Sequence, residues 1–186
     1  MSATVHRLNR RQVTPALALL ALLALPLSLR AQEAPRLEGR LIERDTAADQ
    51  RAIDQGIERV AQGFPALVRP LVRPYLAGVT RHCPEPGIAW DGPTLTYSCR
   101  DEVLLRRVPD GVPFVWAVPG GDETPTVTLK MLDDRTLSMA FDNGLGGRTQ
   151  TFQLQLDGTV TEHLVYRSDK LPVPLEYTLV FERKAP

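Results

Sequence analysis

The chain has 186 residues with 22 basic and 22 acidic side chains, a balance that disfavours a nucleic-acid partner. Four arginines and no acid fall within residues 1–31, so removing that segment would leave a domain with four more acids than bases, which disfavours nucleic acid and non-specific binding to anionic lipid. What would remain suffices for one domain with a real core and is short for two, and sixteen prolines favour short elements joined by firm turns.

Arg7, Arg10 and Arg11 precede an apolar run from Ala16 to Leu29, and Ala31 offers a small residue at a cleavage point. This is the three-part layout of a secretory signal peptide over residues 1–31. The run is broken by Pro26 and is shorter than the ~20 apolar residues of a spanning helix, so a retained anchor is the weaker alternative. With no cysteine after the run, a lipid-modified N-terminus is not expected. The predicted location is periplasmic or secreted, with nothing spanning the membrane after cleavage.

Residues 32–45 read as a polar N-terminal arm, either loose or forming one short strand. A single α+β domain is expected over residues 46–186, with helices over 46–82 and an antiparallel sheet over 87–183. Thr46 and Asp49 have the spacing of a capping box. Ile53, Ile57, Val60, Ala61 and Phe64 then form one apolar stripe of an amphipathic helix of roughly four turns. Gly63 suits a left-handed cap, and Pro65 bars continuation.

A tandem Leu-Val-Arg-Pro follows (Leu67–Pro70, Leu71–Pro74). Leu67, Leu71, Tyr75 and Val79 recur every fourth residue, as do Val68, Val72 and Leu76. Pro70 and Pro74 predict a kinked helix or two short ones. Two roles compete for this segment: a second packing helix with solvated arginines, which is favoured because such stripes usually belong to a core, and a lid or membrane-touching element.

Cys83 and Cys99 are the only cysteines, at the seam between the helical and strand-patterned halves. An exported chain makes them a disulfide, closing a loop of roughly 15 residues and stabilising the fold by about 3 kcal/mol. His82 abuts Cys83 rather than standing at a finger spacing, so no metal site is expected and His82 reads as a cation capping a helix end. Trp90-Asp91-Gly92-Pro93 is a turn signal inside the loop.

From Gly87 onward the apolar period is two, with turn signals every eight to twelve residues or so. The alternating sets are Leu95/Tyr97/Cys99, Phe114/Trp116/Val118, Val127/Leu129/Met131, Leu137/Met139/Phe141, Phe152/Leu154/Leu156, Val160/Leu164/Tyr166 and Leu175/Tyr177/Leu179/Phe181. Asp157-Gly158 is a hairpin turn. Strands with one apolar face in sequential order predict a meander curled into a barrel, or bent over the helices as a half-barrel. In pattern alone, the strand half resembles lipocalin-like barrels and the half-barrels of periplasmic lipoprotein carriers. Gly87-Ile88-Ala89-Trp90 spaces its Gly and Trp one residue wider than the Gly-x-Trp of lipocalins.

Catalytic patterns are scarce. There is no Gly-x-Ser-x-Gly, and Gly144-Leu145-Gly146-Gly147 lacks a following Lys-Ser/Thr. His163 falls on the polar side of its strand. Glu162 breaks the strand code: it shares the inward phase of Val160, Leu164 and Tyr166. A carboxylate there must be paired, for instance with Arg148, or protonated, or facing a cavity. The favoured reading is an exported binding protein that holds an apolar or amphiphilic ligand inside the barrel. Glu162, Tyr166, Tyr177, Met131 and Met139 would line that site, with no cofactor. The alternative is an envelope accessory domain with a filled core and an envelope protein as partner, working through Pro119–Pro125 or Asn143–Gly147. An enzyme using Glu162 is the third reading.

Overall fold

The computed structural model describes residues 36–80, 82–117 and 124–184, so the segment read as a signal peptide lies outside the described residues. Among the described residues ten antiparallel strands form one sheet, in the order β4-β3-β2-β1-β10-β9-β8-β7-β6-β5. They are β1 (Gly39–Glu43), β2 (Pro86–Asp91), β3 (Thr94–Cys99), β4 (Glu102–Arg107), β5 (Phe114–Val115), β6 (Thr126–Asp133), β7 (Thr136–Asp142), β8 (Gly147–Leu154), β9 (Val160–Arg167) and β10 (Leu175–Lys184). Helices α1 (Thr46–Gln62) and α2 (Arg69–Val79) are inserted between β1 and β2. The sheet curls into a half-barrel against the helical region, so the protein is α+β.

Every adjacent strand pair except β1–β2 and β1–β10 is a sequential hairpin or meander step. The expected turns are present: Asp91 pairs with Thr94 across the β2–β3 hairpin, and Leu154 pairs with Val160 around Asp157-Gly158, where Gly158 has φ +87°. The short-strand option for the arm is realised in β1, which joins the first and last parts of the meander. Strand β8 stops at Leu154, leaving Leu156 almost fully exposed in the turn.

β1 is shorter than its neighbour. Arg40–Glu43 pair with Phe181–Lys184, and the rest of β10 has β9 on one side only. Helix α1 covers the bare edge, as exposed strand edges require. Val180 illustrates the arrangement: its carbonyl accepts from Arg44 N, while its N–H donates to Asp49 Oδ1 at 3.2 Å. Asp49 therefore serves not as the capping-box partner but as a substitute for a missing strand. The helix cap is Asp45, which accepts from Ala48 N at 2.9 Å. At Gly56 the helix comes so close to β10 that a Cβ would sit 2.8 Å from the Glu176 carbonyl oxygen.

Ile53, Ile57, Val60 and Ala61 are buried in the core shared with the sheet, and Phe64 packs at its margin. Full burial of each such aliphatic side chain is worth about 1.5–3 kcal/mol. Gly63 ends the helix with φ −70° rather than in the left-handed region. Its small size is required for another reason: a Cβ there would lie 2.6 Å from Pro172 Cγ.

Helix α2 is one helix, with Pro70 in its first turn, where no intrahelical donor is lost, and Pro74 inside it. Its two apolar rows part company. Leu76 is buried and Val72 packs against the core, whereas Leu71, Tyr75 and Val79, with Leu67 in the turn before the helix, face water. The expected solvated arginines are engaged instead: Arg69 donates to the Phe64 and Gln62 carbonyls at the end of α1, and Arg73 pairs with Glu58 at 2.7 Å. His82 is not a helix cap. Its Nε2 lies 2.7 Å from Glu43 Oε1 at the end of β1.

Cys83 and Cys99 are disulfide-bonded with their Cα atoms 5.7 Å apart, tying the approach to β2 to the end of β3. At the two open edges of the sheet, the Trp116 indole N–H donates to the Leu104 carbonyl of β4 at 3.0 Å, and the Arg107 guanidinium lies 4.8 Å above the Phe114 ring. Side chains thus bridge edges that no backbone ladder joins.

Candidate functional site

Strand registers map the inner face. One row across the sheet runs Leu129, Met139, Gln150, Leu164, Tyr177; the next runs Met131, Leu137, Phe152, Glu162, Leu179; a third includes Val127, Phe141, Arg148 and Tyr166. Three polar residues, Arg148, Gln150 and Glu162, therefore cross an otherwise apolar surface on β8 and β9. Period-two alternation places them there, because they share the phase of Phe152 and Leu154 on β8 and of Val160 and Leu164 on β9.

Glu162 is 1% exposed. Its Oε1 accepts from Gln150 Nε2 at 2.6 Å, while Oε2 has no hydrogen-bond partner among the described residues. Burial pushes its carboxyl up to about 7; the Gln150 hydrogen bond and the Arg148 charge pull the other way, and Asp49 adds to the rise. The anticipated cation, Arg148, makes no ion pair with it among the described residues. Its guanidinium lies 4.4 Å above the Phe141 ring, and its Nε is buried without a partner among the described residues. Asp49 presents the same arrangement from α1: Oδ1 accepts from Val180, Oδ2 has no partner among the described residues, and burial raises its carboxyl above the ordinary range.

Tyr166 and Tyr177 stack with ring centroids 6.3 Å apart and hydroxyls 3.5 Å apart. The Tyr177 hydroxyl also donates to the Thr80 carbonyl at the C-terminal end of α2, at 3.2 Å. Desolvation, reinforced by Tyr166 and Glu162, raises the Tyr177 phenol above its usual range, so it stays a donor at all ordinary pH. Met139 is fully buried and Met131 half-buried at the side of the same core. Tyr166 and Tyr177 thus meet near the end of α2 and Glu162 lies one register row beyond Tyr177, whereas Met131 and Met139 lie further along the sheet on β6 and β7.

Gln150 escaped the sequence reading, while Arg148 was expected only as a cation paired with Glu162 and Asp49 only as part of a capping box. Gln150 and Arg148 could have been found by carrying the β8 alternation two and four residues back from Phe152. Asp49 precedes Ile53 by one helical turn and so belongs to the buried stripe.

Two surface concavities lie elsewhere. One, of about 350 Å3, is formed by the Asp133–Thr136 turn and Gln153–Leu156. The other, of about 660 Å3, lies among Thr124, Thr126, Asp142, Asn143 and Gly144, beside one of the loops read as a working surface. Neither includes any of the five residues expected to line a ligand site.

Fold and site together define an α+β half-barrel with a polar stripe across its inner face. No protein-family model matches the chain, and no curated protein matches it.

Proposed function

We propose that the protein is an exported binding module for an amphiphile. The apolar part would enter the half-barrel and the polar end would meet Arg148, Gln150 and Glu162, with Tyr166 and Tyr177 at the mouth. The observation that carries this reading is that Glu162 Oε2 and Arg148 Nε, two polar atoms without a partner among the described residues, are buried in a surface that packing alone would make apolar. A ligand offering both a hydrogen-bond donor and an acceptor would satisfy them. Entry would be by way of α2, which has one fully buried side chain, Leu76, and is latched to the sheet by the Tyr177–Thr80 bond.

A second reading has its own support. Leu137, Met139, Phe152 and Leu164 are fully buried against one another's cluster, as in an accessory domain that works through its surface. The concavity at Asp142–Gly144 would then meet a protein partner. Native mass spectrometry of protein purified from the periplasm separates the two. A co-purifying amphiphile that is lost in Tyr177→Ala and Glu162→Leu supports the first reading. A ligand-free protein that also takes up no added fatty acid or lysophospholipid overturns it.

A further inference from the structure

Helix α2 and the turn that leads into it, which holds Leu67, present an uninterrupted apolar face to water. Leu67 is 90% exposed, Leu71 74%, Tyr75 69% and Val79 41%, and the exposed positions among them are Pro70, Pro74, Ala77 and Gly78. No charged side chain interrupts this face. The charges of the helix, Arg69 and Arg73, are half-buried at its flank and held by the α1 carbonyls and by Glu58. An ordinary surface helix places polar residues on this side.

We propose that α2 docks the protein on an anionic lipid surface, with the Leu67–Leu71–Tyr75–Val79 row inserted into the headgroup–acyl boundary. A large hydrophobic face with arginines at its flank is the form of an interfacial helix. The local charge is modestly basic although the domain as a whole is acidic: Arg59 and Arg73 are paired with Glu176 and Glu58, whereas Arg69 is bound only to carbonyl oxygens and the sequence adds Arg81 with no acid between Arg59 and Pro84. Within a Debye length of ~8–10 Å the local charge governs. A second copy is a poorer occupant. An 11-residue helix is ~16 Å long and ~10 Å across, a footprint far below the ~800 Å2 per partner of a stable protein interface.

The test is depth quenching with the full chain carrying Tyr75→Trp. The vesicles are phosphatidylcholine with a third phosphatidylglycerol, brominated in the acyl chains. The Trp90 and Trp116 emission of the parent protein is subtracted. Because the readout belongs to position 75, insertion of the apolar run Ala16–Leu29 alone would leave it unquenched. The expected result is loss of more than half of the added emission, and restoration by Leu71→Asp with an unchanged thermal midpoint, since Leu71 is exposed in the folded protein. Emission that stays unquenched at saturating vesicle concentration overturns the proposal. So does emission already blue-shifted before lipid is added, because the row would then be covered by another copy or by the chain's own N-terminal segment.

Discussion

Gln150 and Glu162 face each other diagonally across β8 and β9, joined by a hydrogen bond of 2.6 Å that leaves the second carboxylate oxygen buried and unanswered. This arrangement fixes the sign of a pH effect. The unfolded chain binds the Glu162 proton with a pKa of 4.5, and the folded protein holds it to about 7. Glu162 therefore contributes its full stability below pH ~4.5, and that contribution is lost as pH rises through ~7, a change of about 3 kcal/mol. Glu162→Gln keeps an acceptor for Gln150 and cannot ionise. Urea unfolding from pH 4 to 8 is expected to show a fall for the parent between pH 4.5 and 7 that is missing in the variant, with the variant the more stable at pH 8. Superimposable curves would mean that the carboxylate is solvated.

Asp49 takes the place of the strand partner that β1 is too short to supply, and the geometry separates its two roles. Asp49→Ala leaves the Val180 N–H without an acceptor and should cost about 1–3 kcal/mol. Asp49→Asn retains a carbonyl acceptor and drops the buried charge, so it should lose less than half of that. Amide exchange adds a local readout: Val180 should lose protection in Asp49→Ala ahead of its neighbours on β10. Equal losses for the two variants would show that the charge, not the hydrogen bond, holds the helix in place.

The parts of this fold that were legible in the sequence are those in which one face is buried and the other wet. The stripe Ile53–Ile57–Val60–Ala61 and the alternation along β6, β7, β9 and β10 write burial directly into residue order. Elements at the margins carry less signal. On β4 only Leu105 is buried and Leu104 beside it half-buried, so this edge strand carries no alternation by which to read it. On α2 two apolar rows of equal periodicity gave no means of deciding which one packs, and Leu76 rather than Leu71 is the residue in the core. Glu162 was visible as a break in phase. Its environment was not, because the pairing of β8 with β9 that brings Gln150 rather than Arg148 to it is a matter of register.

Gly56 lies in the middle of α1, where helix propensity alone favours alanine by about 1 kcal/mol. Contact with β10 reverses the sign. The added methyl would meet the Glu176 carbonyl oxygen at 2.8 Å and Leu175 Cδ1 at 3.2 Å, and the backbone oxygen cannot step aside. Gly56→Ala should therefore destabilise by roughly 1–3 kcal/mol through displacement of α1 from the sheet edge. Gly78, with nothing within 4 Å of the equivalent point, is the internal control: Gly78→Ala should be neutral or stabilising. Thermal melts of the two single variants decide the matter. A stabilised Gly56→Ala would show that the helix can move away from β10 without cost.

Trp116 tests how the half-barrel is held at its open side. Its indole N–H bonds to the Leu104 carbonyl across the gap between the two edge strands, and its ring tilts against Phe141 with centroids 5.8 Å apart. Trp116→Phe removes the donor and keeps most of the ring. The abandoned carbonyl lies on an edge strand that water can reach, so the global cost should be modest, about 0.5–1.5 kcal/mol. The local effect should be larger. Without that bond, β4 is held by β3 on one side only, and β5 by two residue pairs with β6. Hydrogen exchange should then rise in β4 and β5 by more than the global loss accounts for, while β8, β9 and β10 in the centre of the sheet change only with global stability. Uniform exchange across all ten strands would place the closure of the half-barrel in its packed core instead of at the Trp116 bridge.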